Sequence, residues 1–113
     1  ANYFTWFDMG RIEFLRALGS SYKEMEDRGT LLVVARAAIR YHRPARLDDE
    51  LTLTTRVEKV TKSRLYFAYE VRRRGEESLL TTGATEMACL DADGRPRRLP
   101  PHLATLEPAA GSG

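Results

Sequence analysis

Residues 3–18 are the stretch that leaves this chain the least choice of fold. Stepped at about 100° per residue, Tyr3, Phe4, Trp6, Phe7, Gly10, Phe14, Leu15, Ala17 and Leu18 fill one unbroken arc, while Thr5, Asp8, Met9, Ile12, Glu13 and Arg16 lie opposite. An apolar arc covering roughly half the circumference suits a helix held by a curved sheet better than one lying on a flat surface. Gly19 stops the helix as a C-terminal glycine does. Gly10, inside the helix, costs roughly 1 kcal/mol against alanine, so its place on the apolar side predicts a close backbone approach to that sheet. Arg11 also falls in the arc, three residues after Asp8. The expectation for it is a packed stem whose head pairs with Asp8 or reaches water at the helix edge.

The period then changes. Ser21 followed by Glu24 reads as the capping box of a short helix that runs to Arg28 and ends at Gly29. Four alternating segments follow, at 31–41, 51–61, 64–73 and 78–90. Odd positions are mainly apolar in the first three: Leu31, Val33, Ile39 and Tyr41, then Leu51, Leu53 and Val57, then Leu65, Phe67, Tyr69 and Val71. This pattern predicts antiparallel strands with one buried face. The fourth segment is richer in small residues, and Gly83 within it suggests a bend or bulge. The connections suggest a meander, broken by Pro44 and Asp48-Asp49, by Lys62-Ser63, and by Gly75. Asp91 to Gly94 forms a further turn, and Pro100-Pro101 opens a last helical turn over 102–106. The predicted class is α+β, with a long helix wrapped by an antiparallel sheet. Residues 1–106 form one domain in this reading, and 107–113 a disordered tail.

The 113 residues carry 18 Lys and Arg against 16 Asp and Glu, a formal charge of +2 that does not argue for a nucleic-acid partner. No run approaches the roughly 18 apolar residues of a membrane span. A lone cysteine, Cys89, rules out an internal disulfide and reads as a buried small hydrophobe, and a cytoplasmic location is the default. No nucleophile elbow, phosphate-binding glycine loop, dinucleotide fingerprint or His-Glu-x-x-His motif is present. Asp91-Ala92-Asp93-Gly94 lacks the glycine position and closing glutamate of a calcium loop, so neither a metal nor a cofactor is called for. His42 and His102 read as exposed structural residues. Of the basic runs, Arg72 to Arg74 suit strand ends and turns, whereas Lys62 to Arg64 and Arg95 to Arg98 could also meet phosphate groups.

The stretch Asn2-Tyr3-Phe4-Thr5-Trp6-Phe7-Asp8-Met9-Gly10-Arg11-Ile12-Glu13-Phe14-Leu15-Arg16-Ala17-Leu18-Gly19 resembles the central helix of the 4-hydroxybenzoyl-CoA thioesterase (YbgC-like) family of hot-dog proteins. The likeness continues through Tyr41-His42-Arg43-Pro44-Ala45-Arg46-Leu47-Asp48-Asp49-Glu50-Leu51, through the Lys62-Ser63-Arg64 turn, and through Asp93-Gly94-Arg95-Pro96. The resemblance implies a hot-dog fold acting as a homodimer or homotetramer, and hydrolysis of acyl-CoA or acyl-carrier-protein thioesters in a site shared between subunits. The family's aspartate and first strand fall ahead of Ala1, so the reading expects further residues there. It assigns the helix amino end, at Asn2 and Tyr3, to the reacting carbonyl, because free amides there stabilise developing negative charge. The alternatives for these two side chains are a cap and a core aromatic. It assigns Lys62, Ser63 and Arg64, then Arg95, Arg97 and Arg98, to the coenzyme A phosphates, with ordinary basic turns as the alternative. Two other activities share the fold: a domain that binds a thioester or a partner without turning it over, and a dehydratase, whose histidine and aspartate are not evident.

Overall fold

The structure is a computed structural model that describes residues 3–108. Helix α1 spans Tyr3–Ala17 and helix α2 Tyr22–Asp27; four strands follow, β1 Leu31–Tyr41, β2 Leu51–Val60, β3 Arg64–Arg73 and β4 Leu79–Leu90, then a turn of helix α3, Pro101–Ala104. Glu107 and Pro108 carry no regular structure, and the rest of the expected tail lies outside the described residues. No described helix is long and apolar enough to cross a membrane.

Local chemistry explains the helix ends. Gly19, at φ +79°, takes the left-handed conformation after α1. There the Ser20 amide donates to Leu15 O at 2.9 Å and the Gly19 amide to Arg16 O at 2.9 Å, the paired bonds of a glycine-terminated helix. Ser21 Oγ accepts from the Glu24 amide at 3.1 Å and caps α2.

The sheet is antiparallel in the order β1-β4-β3-β2. The expected meander holds for β2, β3 and β4, but β1 pairs with β4 and not with β2. The connection from His42 to Glu50 is too long for a tight hairpin and carries the chain across to the far edge. Along β3 the alternation is as expected: Leu65, Phe67, Tyr69 and Val71 are all fully buried. On β1 the expected phase fails. Leu32, not Leu31, is buried, and a register shift between Val34 and Arg36 swaps the faces halfway along the strand. Val33, Val34 and Tyr41 remain exposed in the single chain, where β1 is an end strand of the sheet and no described strand pairs with its outer edge.

Helix α1 buries Tyr3, Phe7, Arg11 and Leu15 against the sheet, four residues apart along one stripe. The expected arc is wider than the buried one, since Phe4, in the first turn, and Leu18, just past the helix end, stay over 40% exposed. Gly10 bears out the close approach: a Cβ there would sit 2.5 Å from Thr55 Oγ1 and 2.8 Å from Leu53 Cδ2. Gly83 is a correction. The β1–β4 ladder runs regularly through it, and its missing side chain makes room for a ring, since a Cβ would lie 2.2 Å from Phe7 Cε2.

Candidate functional site

The two halves of the expected site lie at opposite ends of α1. Its amino end begins at Tyr3, whose ring is buried and packs edge-on against Trp6 at 5.9 Å and tilted against Tyr41 at 5.8 Å. A cavity of about 520 Å³ opens here, lined by Tyr3, Tyr41, His42, Arg43, Pro44 and Ala45. A helix leaves its first amides without partners inside the helix and carries partial positive charge at that end. The first turn of α1 contains no acidic side chain to offset it. Asn2, the other candidate at this end, lies outside the described residues. His42 is exposed, as expected, with Nε2 2.9 Å from Thr82 Oγ1.

About two turns further on, a polar knot locks the helix in place. Arg11 is 4% exposed and donates from Nη2 to Asp8 Oδ1 at 2.7 Å, from Nε to the Tyr22 hydroxyl at 2.8 Å and from Nη1 to the Tyr69 hydroxyl at 3.1 Å. The Tyr69 hydroxyl in turn is hydrogen-bonded to Thr85 Oγ1 at 2.6 Å, either hydroxyl being able to donate. Burial is the largest single influence on Arg11 and opposes its charge, yet the interactions with Tyr22 and Tyr69 outweigh it and raise the pKa. The pairing with Asp8 is as expected. Tyr22, Tyr69 and Thr85 were not legible as its partners, because they come from α2, β3 and β4 and nothing local in the sequence joins them.

The candidate cations gather at the other end of α1, roughly 22 Å away by the rise of a 15-residue helix. Backbone bonds stitch them together: Leu99 donates to Lys62 O, Cys89 to Ser63 O and Arg97 to Cys89 O, all at 2.8–2.9 Å. Lys62, Arg95, Arg97 and Arg98 are exposed. Arg64 is partly spent, because its guanidinium pairs with Glu86. Arg95 sits in the tight turn over Asp91, whose carboxylate accepts from the Asp93 and Arg95 amides at 2.9 Å. That closes the Asp91 loop on itself, and no metal-binding cluster occurs among the described residues. Cys89 is buried, its thiol 3.6 Å from Arg98 O, and burial pushes its pKa up. Arg28, on the same end of the molecule, was missed in the sequence, where it reads only as the close of a short helix.

Residues 1–106 match the thioesterase-like superfamily. The chain belongs to that superfamily. It is 31% identical over 101 residues to a putative esterase of Synechocystis, covering 88% of this chain and 61% of that protein. It is 29% identical over 101 residues to the acyl-CoA thioester hydrolase YbgC of Escherichia coli, covering 88% of this chain and 75% of the relative. Among solved structures it resembles a DHNA-CoA thioesterase from Staphylococcus aureus, with TM-score 0.77, 33% identity and coverage of 87% of this chain and 66% of that one. The chain therefore spans about two thirds or less of two of these three relatives. The superfamily likeness fixes the architecture as a hot-dog fold, and the YbgC-like resemblance read from the α1 stretch holds.

Proposed function

We propose that this protein hydrolyses an acyl-CoA thioester in a site built by two copies of the chain. The observation that carries this reading is the match to the thioesterase-like superfamily across residues 1–106. The cavity at the start of α1 gives the reaction a place. A thioester carbonyl seated there develops negative charge on oxygen as water, or a carboxylate, attacks its carbon. Amides of the first helical turn, with the positive end of the helix dipole, stabilise that charge. The C–S bond then breaks and the thiolate leaves and takes up a proton; where water attacked, the acid is released directly, and where the carboxylate attacked, a water molecule then opens the resulting acyl–aspartyl anhydride to release the acid and restore the aspartate. An aspartate ahead of Ala1 supplies the attacking carboxylate or the base that activates water. Asn2 and Tyr3 flank the carbonyl, and Lys62, Ser63, Arg64, Arg95, Arg97 and Arg98 serve the phosphates of the carrier.

The two ends stand roughly 22 Å apart along the helix of one chain, and a second copy brings unlike ends together. Strand β1 is an open edge, and edges invite pairing. Its Tyr41 end lies beside Tyr3, and its Leu31 end pairs with Leu90 near the basic cluster. Antiparallel pairing of β1 with its copy sets the amino end of one α1 next to the cations of the other. The pairing would also cover exposed Phe4, Met9 and Ile12 on the helix flank and Val34 and Tyr41 on β1. We take residues 1–106 as one such unit, assembled as a dimer or a pair of dimers. The single buried thiol fits a reducing compartment, and we place the protein in the cytoplasm.

The test is release of free thiol from short, long and aromatic acyl-CoAs by the protein with its upstream residues in place. Turnover above background is expected. Binding of acyl-CoA with no thiol released would leave a non-catalytic carrier-binding domain instead. A stable monomer at micromolar concentration in sedimentation would sink the shared site.

A further inference from the structure

At the carboxyl end of α1 a cavity of about 590 Å³ is lined by Arg28 together with Arg97 and Arg98, and it belongs with the cations assigned to the carrier above. The amino-end cavity differs in having a wall made of loop. His42, Arg43, Pro44 and Ala45 all come from the connection between β1 and β2. Residues 42–48 are exposed, so packing does not hold them. Asp48 turns at φ +69°, a left-handed conformation that is costly for a residue with a side chain and persists where contacts enforce it. The two feet of the loop are bound through the backbone. The His42 and Arg43 amides donate to Leu80 O at 2.8 and 3.1 Å, and the Arg74 amide donates to Glu50 O at 2.8 Å.

Between those feet, among the described residues, a single side chain ties the loop to the sheet. Arg73 donates from Nη2 to Pro44 O and from Nε to Asp49 Oδ2, both at 2.9 Å, and its Nη1 lies 3.5 Å from Glu76 Oε2. Asp49 passes the hold on, because its carboxylate also accepts from the Arg46 amide at 2.6 Å. The neighbouring arginines turn elsewhere: Arg72 to Glu70 and Glu77 O, and Arg74 to exposed Glu50. Alternation explains the difference, since Arg73 stands two residues beyond buried Val71, on the face that carries α1. Pro44 has no N–H, so its carbonyl is its one polar handle. Gripping that oxygen fixes the planar peptide shared by Pro44 and Ala45, and with it both wall residues together. Arg73 itself does not line the cavity.

We propose, resting on the thioesterase reading, that Arg73 is a positioning residue: by holding Pro44 and Ala45 it sets which acyl groups the amino-end cavity accepts. It touches no substrate and acts through the loop. A wall displaced by the width of one methylene changes discrimination between acyl groups by about tenfold or more, while the reacting carbonyl is held by the helix amides and not by the loop. Losing the strut therefore flattens selection more than it slows the reaction. Lysine is no substitute, because a single ammonium lacks the rigid fork that meets Pro44 O and Asp49 at once.

The test compares kcat/KM for short, long and aromatic acyl-CoAs in the full-length parent, Arg73→Gln, Arg73→Lys and Arg74→Gln, the last removing the same charge from the next residue. The spread of kcat/KM across the acyl groups should narrow by about fivefold or more in both Arg73 variants and stay at the parent value in Arg74→Gln. Such a ratio does not depend on how much of the protein is folded, so a merely structural role leaves it unmoved. In the Arg73 variants the Arg46 and Asp49 amides, both hydrogen-bonded within the loop, should also exchange with solvent about fivefold faster or more. A parent that releases no thiol overturns the thioesterase reading and this extension with it. An active parent whose spread is flat, is the same in Arg73→Gln, is fully restored by Arg73→Lys or narrows equally in Arg74→Gln overturns the role of Arg73 alone, as does unchanged amide exchange.

Discussion

Gly83→Ala isolates the contact on which the seating of α1 depends. The added Cβ would fall 2.2 Å from Phe7 Cε2, 2.6 Å from Cζ and 2.9 Å from Cδ2, so three ring atoms must retreat together. Phe7 cannot swing aside freely, because it is fully buried and stacks on Tyr69 at 4.5 Å with the planes 13° apart. Tyr69 is itself fully buried, with its hydroxyl engaged by Arg11 and Thr85. Overpacking a site of this kind costs about 1–3 kcal/mol, and loosening the ring stack a further 0.5–1.5 kcal/mol or so. Replacing glycine by alanine stiffens the unfolded chain and returns about 0.4–1 kcal/mol. The net is a loss of about 2–3 kcal/mol, read as a Tm lower by roughly 8–12 °C for a domain of this size. The assay is thermal and urea unfolding followed by circular dichroism, on Gly83→Ala, Phe7→Leu and the two combined. Trimming the ring relieves the clash, so the double variant should be more stable than the sum of the singles by about 1 kcal/mol or more. A Gly83→Ala protein within about 0.5 kcal/mol of the parent, or strict additivity, would refute the account of why that position lacks a side chain.

Replacing Arg11 by Met should cost about 1–3 kcal/mol in urea unfolding, because Tyr22 loses its partner inside the fold while half-exposed Asp8 can hydrate; a change under about 0.5 kcal/mol would show that the knot does not hold α1 in place. Asp49 titrates below its ordinary range because the Arg46 amide donates to its carboxylate at 2.6 Å and Arg73 at 2.9 Å. A lowered folded pKa means the benefit is complete above the unfolded value and fades as pH falls through the folded one. The Tm gap between parent and Asp49→Asn should therefore be open at neutral pH and close in acid, and a gap independent of pH would contradict the assignment.

How far this fold was legible in its sequence depended on whether each segment met a regular partner. The alternation of β3 could be read directly because it runs between two strands in one apolar layer, and all four of its odd apolar residues are buried. On β1 the same rule misled, because one extra residue near Ala35 exchanges the faces and because an uncovered edge leaves Val33 and Val34 in water. Glycines were legible as exceptions but not always as causes. Gly10 marked a close approach that the structure contains, while Gly83 looked like a bend until the ring of Phe7 was found in its place. The candidate site shows the same division. The basic residues could be named as basic runs and by the family resemblance, but their gathering at one end of α1 depends on the β4 register, which brings Cys89 beside both Ser63 and Arg97. Arg28 carried no signal, since its meaning comes only from the cavity it faces. Helix polarity then separates the chemistry into two places on one chain: an amino end suited to developing negative charge, and a carboxyl end, where the helix dipole also favours cations, holding the arginines. On the proposed reading a single copy presents two complementary half-sites at opposite ends of α1, and antiparallel pairing along β1 would bring unlike halves together twice over.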